Sequence, residues 1–336
     1  EQLIRILPEN QKKVFYSDNG STSVEVGLKM AIQYHANQKR IKKTFVALKN
    51  GYHGDTFGAM SAGGRGIFST PFENHLFNVK YIDVPIKGKE DDSIQQLEYI
   101  IKDNKVAGFI FEPLLQGAAG MVMFSHTILD KLIKICKLNN VITIADEVST
   151  GFGRTGKLFA SDYLINKPDI ICLSKGITGG VMALGATTCT LDIYNAFLSD
   201  DKSKMFLHGH SYTANPFACT VANASIELLL QNDTIESINR ISLKNKEFIE
   251  NLSEYPIVLD ARSLGVVMAI TLKSNSRKTY FNYLRDKLYD HFIEKRIILR
   301  PLGNVVYIIP PYCITNNELV IIYDAIIDLL TKLNKN

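Results

Sequence analysis

Residues 141–147 read VITIADE and residues 169–176 read DIICLSKG, and these two stretches decide the fold. Each is a short β-branched run that is apolar on both faces, the pattern of a strand covered by helices on either side. The first ends in two carboxylates, Asp146 and Glu147, and the second runs into Ser174-Lys175-Gly176. Ligands of open α/β sheets bind at the C-terminal edge of such strands, where these side chains fall. Working outward, 44–48 (TFVAL), 106–111 (VAGFIF) and 185–190 (GATTCT) have the same character. Helical periodicity separates them at 22–37, 93–103 and 126–139. The alternation predicts a doubly wound α/β domain with a mostly parallel sheet. A helix opening at Asn215-Pro216 runs to about 230. After it come a helix, strands near 264–272, 296–299 and 305–309, and a last helix from 316, which predict a smaller C-terminal α+β domain. The expected division is 1–230 and 231–336.

A net charge of +4 over 336 residues, with the basic residues never gathered into a run, points away from nucleic acid and from acidic membrane surfaces. No apolar stretch approaches a membrane span. Cys136, Cys172, Cys189, Cys219 and Cys313 are odd in number and far apart. That spacing predicts buried free thiols in a reducing compartment, not disulfides or a CxxC metal site, so no metal is expected. The chain opens at Glu1 in mid-pattern, which predicts further residues upstream.

An isolated Asp after a strand usually caps a loop, and an isolated Lys is usually a solvated charge. Asp146 and Lys175 are different because they sit at matching edges of two buried strands. A lysine amine forms a Schiff base with a carbonyl cofactor, and a carboxylate pairs with a protonated pyridine nitrogen. Ser17-Asp18-Asn19-Gly20-Ser21-Thr22 precedes the helix at 22–37. Thr22 and Glu25 fit a capping box. The same orphan amides, with Gly20 and the Ser21 hydroxyl, also suit a phosphate. Gly51-Tyr52-His53-Gly54-Asp55-Thr56 follows the strand at 44–48. There Tyr52 could lie on a flat ring and His53 could make a polar contact, or the segment is a turn with an incidental aromatic.

The blocks SDNGS, GYHGDTFGAMS, EPLLQGAAGM, ADEVSTGFGRTGKLFA, PDIICLSKGITGG and HGHSYTANPFAC resemble, in order and spacing, the signature blocks of class III aminotransferases. That resemblance implies the type I pyridoxal-phosphate transferase fold and an enzyme using pyridoxal 5'-phosphate. It covers the chain from about residue 14 to its end. Within the family, GYHGDTFGAMS, SKGITGGVMALGATTCT and the Arg300-Pro301-Leu302-Gly303 block are most similar to the biotin-synthesis branch. That implies amino transfer from S-adenosylmethionine to 8-amino-7-oxononanoate, giving 7,8-diaminononanoate. Use of lysine or an ω-amino acid as donor remains an alternative.

Carried across residue by residue, the resemblance implies that Lys175, Asp146 and Tyr52 are catalytic. Lys175 would be the Schiff-base lysine, Asp146 would face the ring nitrogen, and Tyr52 would pack on the ring. Gly20 and Ser21 would hold the cofactor phosphate. Ser211, where many relatives have Thr, would reach the phosphate of a neighbouring subunit. A shared site of that kind implies a homodimer of small-molecule enzymes in the cytoplasm. Arg300 would bind the substrate carboxylate through its planar fork. Tyr307 and Gly209 would line the substrate pocket, as would Tyr52, Asp55 and Arg154. Two departures stand out: Ala214 replaces a usual glycine, and the family's N-terminal segment does not precede residue 1.

Overall fold

The computed structural model describes residues 1–103, 105–274 and 284–334. They divide into two compact units, one of Glu1–Phe152 with Lys157–Leu229 and the other of Gly153–Gly156 with Leu230–Asn336.

The first unit is built on seven strands: β1 (Lys13–Ser17), β2 (Thr44–Leu48), β3 (Val79–Ile82), β4 (Val106–Phe111), β7 (Ile142–Asp146), β8 (Ile170–Leu173) and β9 (Gly185–Cys189). The two-residue strands β5 (Leu115–Gln116) and β6 (Val122–Met123) pair separately as a small antiparallel ribbon. The order across the large sheet is β1-β9-β8-β7-β4-β2-β3. From β3 to β8 neighbouring strands are parallel. β4, β7, β8 and β9 are buried along their whole length, as strands covered on both faces must be. The helix Gly20–Asn37 lies on the sheet and buries Val24, Val26, Leu28, Met30 and Ala31 against Ile144, Ile170 and Cys172.

Several expectations change. The stretch 185–190 forms β9, but it runs antiparallel to β8. Only the short segment from Ser174 to Leu184 joins the two strands, too little for the crossover helix that a parallel return needs. β1 and β3 were not foreseen, because KVFYS and VKYI carry polar residues and are only partly buried at the sheet's two edges. The helix expected at 22–37 begins two residues earlier, at Gly20, and its cap differs. Asn19 accepts from the Thr22 amide at 3.0 Å, and Thr22 Oγ1 accepts from the Asn19 amide at 3.1 Å. Glu25 takes no part in this box. Cys136, Cys172 and Cys189 are buried free thiols as expected, whereas Cys219 is half-buried and Cys313 exposed.

The second unit holds a three-stranded antiparallel sheet of β10 (Val258–Leu264), β11 (Val267–Leu272) and β12 (Val305–Ile308), in that order. The run read as one strand at 264–272 is therefore the turn and second arm of a hairpin. The stretch 296–299 forms no strand. Among the described residues it is irregular chain after the helix Leu284–Glu294. Helices Asn232–Glu250 and Asn316–Asn334 close the core, with Phe248 and Tyr323 stacked at 4.2 Å and the Tyr323 hydroxyl donating to Asn245 Oδ1 at 2.8 Å. Among the described residues no helix is long and apolar enough to cross a membrane.

The β10–β11 hairpin turns at Gly265, whose φ of +57° is left-handed and whose missing Cβ would lie 2.1 Å from the Thr155 carbonyl carbon. Both constraints exclude a side chain. Gly265→Ala is expected to destabilise the protein by roughly 2 kcal/mol or more, read as a lowered midpoint of thermal unfolding. An unchanged midpoint would contradict this account of the hairpin.

Candidate active site

Asp146 closes β7, and its register partner on β8 is Cys172, three residues before Lys175. The two candidate groups therefore emerge from adjacent parallel strands at the same sheet edge. Asp146 is 4% exposed and a charge so placed needs partners. Oδ1 accepts from the Val148 amide at 3.1 Å, and Oδ2 lies 2.7 Å from His53 Nδ1. Opposite a carboxylate oxygen, Nδ1 is the nitrogen that bears the proton. The imidazole is also buried, and its Nε2 has no hydrogen-bond partner among the described residues. His53 thus makes the polar contact that its turn suggested, and the contact is with the acid.

Glu112, just past the end of β4, is the third carboxyl at this edge. Its oxygens accept from the Tyr52 and Gly117 amides, each at 3.0 Å. Burial, with a smaller push from Asp146 and an opposing pull from His53, raises its pKa to about 7. Tyr52 is 41% exposed, so one face of its ring is open, and its hydroxyl donates to Asp55 Oδ2 at 2.9 Å. Burial and the Asp55 contact push the phenol up to about 12, so it stays protonated. Glu147, the other carboxylate of the ADE run, points elsewhere: it accepts from the Ala160 and Ser161 amides and the Thr150 hydroxyl, and pins the loop after β7.

The start of the Gly20–Asn37 helix comes to the same edge. A Cβ on Gly20 would sit 2.7 Å from Val148 Cγ1, so glycine permits the close approach. Gly54 has φ of +127°, and its missing Cβ would fall 2.3 Å from Ser21 Oγ. The Ser21 hydroxyl is already engaged, at 2.8 Å from Thr56 Oγ1 and accepting from the Thr56 amide at 3.0 Å. Thr56 in turn donates to Glu25 Oε1 at 2.5 Å, and that oxygen also takes the Gly58 and Ala59 amides. Glu25 therefore caps the short helix Phe57–Ala62 and ties the Tyr52 loop to the first helix. What this corner offers an anion is the open turn of amides at Gly20 and Ser21, with the dipole behind them.

Lys175 is exposed, and its Nζ donates to Ser149 Oγ at 2.8 Å. Its φ of +44° is left-handed, a strained conformation for a side chain of this length. Ser211 and Gly209 lie in an exposed irregular segment before the helix Pro216–Leu229, where Ala214 adopts a φ of +56°. That left-handed conformation is one that glycine adopts most readily. Arg300 and Tyr307 belong to the second unit, Arg300 exposed in irregular chain and Tyr307 half-buried in β12 opposite Ala269. Arg154, also in that unit, donates to the Pro310 carbonyl at 3.1 Å and stacks over Tyr312 at 4.9 Å.

Sequence reasoning passed over Glu112, Ser149, Thr56 and Val148. Glu112 could have been found by the argument used for Asp146, since it too follows a wholly apolar strand. The others act through a hydroxyl or an amide that no pattern marks. Together the groups of the first unit fit a flat, phosphate-bearing pyridine aldehyde: a primary amine, a buried carboxylate, an open aromatic face and a cradle of amides that a Cβ at Gly20 or Gly54 would crowd.

Comparison with known proteins agrees with this chemistry. The profile of the family described as aminotransferase class-III matches residues 1–330. A Synechococcus elongatus protein named adenosylmethionine-8-amino-7-oxononanoate aminotransferase is 43% identical over 99% of this chain and 80% of its own length. The crystal structure of the protein of that name from Methanocaldococcus jannaschii superposes with a TM-score of 0.91 at 36% identity, covering 98% of this chain and 78% of that one. An amine transaminase from an uncultivated Pseudomonas species, solved with pyridoxal phosphate bound, gives 0.90 at 30% identity over 96% of this chain and 78% of its own.

Glu112 carries a pH consequence. A carboxyl whose folded pKa lies above its unfolded one contributes stability that is full at low pH and is lost as pH rises from about 4.5 to about 7. Between pH 5 and pH 8 the unfolding free energy of the wild-type apoprotein is expected to fall relative to that of Glu112→Gln, by ~3 kcal/mol at most. A difference between the two proteins that does not vary with pH would remove the argument.

Proposed function

Because the chain belongs to the class III aminotransferases, we propose that it transfers an amino group from S-adenosylmethionine to 8-amino-7-oxononanoate, giving 7,8-diaminononanoate for biotin synthesis. The reading rests on the near full-length likeness to proteins named for that acceptor and donor, joined to Lys175 and Asp146 at the edges of adjacent strands. The cofactor is pyridoxal 5'-phosphate. When bound it supplies an aldehyde that exchanges amines and a ring that accepts the electron pair left at the donor Cα.

The chain's own residues do the rest. Lys175 Nζ would be the amine that holds the cofactor aldehyde. It then removes the donor Cα proton as general base and delivers it as general acid, with Ser149 Oγ as its hydrogen-bond partner in the resting protein. Asp146 would hold the ring nitrogen and supply the counter-charge there. Tyr52 covers one ring face, and the Gly20 and Ser21 amides take the phosphate. Arg300 is the group proposed for the carboxylate of the oxo acid, which its planar fork suits, and Tyr307 and Gly209 are proposed as further substrate-binding residues. Asp55 orients the Tyr52 hydroxyl.

We further read the working enzyme as a cytoplasmic homodimer in which Ser211 serves the partner's phosphate. The exposed segment that carries Ser211 supports the dimer, since Leu207 and Tyr212 on it, and Phe217 in the helix that follows, leave apolar surface uncovered.

Adding S-adenosylmethionine alone to the yellow, cofactor-loaded enzyme is expected to bleach the visible absorbance as the cofactor takes the amino group. Bleaching by lysine or an ω-amino acid, with S-adenosylmethionine inert, would replace the donor assignment. Lys175→Ala is expected to lose both the visible absorbance and all turnover, and survival of either would sink the mechanism. Arg300→Ala is expected to weaken the oxo-acid half-reaction about tenfold or more while cofactor binding is kept. An unchanged affinity for the oxo acid would remove Arg300 from the site.

A further inference from the structure

The proposed chemistry needs Lys175 as a free amine before the cofactor is taken up and again in each half-reaction. The fold gives that amine one partner among the described residues, and it is neutral. Nζ donates to Ser149 Oγ at 2.8 Å, and no described carboxylate forms an ion pair with it. Ser149 Oγ has no second hydrogen bond among the described residues, so its own proton is free to turn. We propose that Ser149 is a positioning residue for Lys175, a seat that holds the free amine at the sheet edge in both its protonated and its neutral form. The inference rests on the transaminase reading and deepens it, since it concerns how that reading's amine is kept ready.

Three observations carry it. First, a hydroxyl both accepts and donates. Facing an ammonium, Ser149 Oγ accepts; facing a neutral amine, it can turn its proton to the nitrogen lone pair. A carboxylate in its place could only accept, and would favour the proton that the amine must lose before it attacks an aldehyde. Second, the turn that carries Ser149 is pinned on both sides. Before it, the Val148 amide donates to Asp146 Oδ1 at 3.1 Å. After it, the Thr150 hydroxyl donates to Glu147 Oε2 at 2.8 Å and the Gly151 amide to the Glu147 carbonyl at 3.0 Å. Glu147 is wholly buried and also takes the Ala160 and Ser161 amides, which fixes the base of the turn. Third, the backbone at Lys175 is fixed against the same loop. The Ser174 hydroxyl donates to the Leu184 carbonyl at 2.8 Å, and a Cβ on Gly176 would fall 2.9 Å from Phe152 Cβ. Both partners therefore rise from held backbone, 26 residues apart in sequence, and what their bond orders is the flexible lysine stem. Seating that stem in advance removes part of the rotamer entropy that capture of the cofactor would otherwise cost.

Wild type, Ser149→Ala, Ser149→Thr and Ser149→Asp distinguish a seat from an incidental contact. In the whole chain freed of cofactor, the pH profile of Lys175 acetylation by acetic anhydride is followed on the peptide that carries it. The rate of pyridoxal phosphate capture is followed by the visible absorbance, and single-turnover rates of the two half-reactions are measured on the holoenzyme. Ser149→Ala is expected to slow capture and both half-reactions about three- to tenfold, the loss of one hydrogen bond. Ser149→Thr keeps the hydroxyl and is expected to restore most of each rate. Ser149→Asp is expected to move the acetylation profile about one pH unit to the alkaline side, and its slow capture at neutral pH should recover as the pH is raised. A serine that only shapes the turn, or whose bond to an exposed amine is incidental, moves neither quantity. Capture by Ser149→Ala at the wild-type rate, or a Ser149→Asp profile that coincides with that of wild type, therefore overturns the inference. Thermal unfolding of the four cofactor-free proteins separates any loss of folding from the effect on the amine. Should wild type take up no pyridoxal phosphate at all, the functional reading fails instead, while the acetylation profiles still report whether Ser149 seats the amine.

Discussion

A carboxylate buried at the end of a parallel strand is the constraint around which the first unit is organised. Asp146 lies where water is excluded, and an ionised oxygen there is tolerated only with donors at hand. The chain supplies them from two directions: the Val148 amide from the loop that leaves β7, and the His53 imidazole from the loop that leaves β2. Those loops meet because β2, β4, β7 and β8 are consecutive strands of the sheet's parallel part and point the same way. A parallel sheet brings the ends of distant sequence segments to one edge, and that property creates the site.

The helix Gly20–Asn37 depends on the same edge. Its N-terminus is capped by Asn19, packs through Gly20 against Val148, and reaches the Tyr52 loop through Ser21 and Glu25. The network is continuous from the Asn19 cap to the Phe57–Ala62 helix, so the amides that suit an anion, the open aromatic face and the clamped acid are held in one rigid arrangement. Polar networks of this kind are stabilising only when each member is satisfied. The Nε2 atom of His53 is the exception among these groups.

Much of this was legible beforehand, for reasons that differ residue by residue. Strands such as 106–111 and 170–173 are apolar on both faces and can only be buried, so their positions followed from composition. Asp146 and Lys175 stood out because a charged residue ending such a run has few structural reasons to be there. β1 and β3 escaped notice because edge strands are half solvated and lose the apolar pattern. The reversal of β9 escaped because direction is set by what the connection can span, and the periodicity of GATTCT is blind to it. Asn19 was missed as the cap because Thr22 and Glu25 also match the pattern, and only the φ of Asn19 separates the two.

The sequence by itself determined the class of fold and the family, and it singled out Lys175 and Asp146 as candidates, because these rest on residue types at fixed positions along a strand. Tertiary structure alone decided that His53 grips Asp146, that the Ser21 hydroxyl serves Thr56 while its amide stays open, and that Glu25 caps a helix more than thirty residues away. The physical reason is range. Periodicity and capping report interactions within a few residues, whereas these contacts join segments that only the sheet order brings within hydrogen-bond distance of one another.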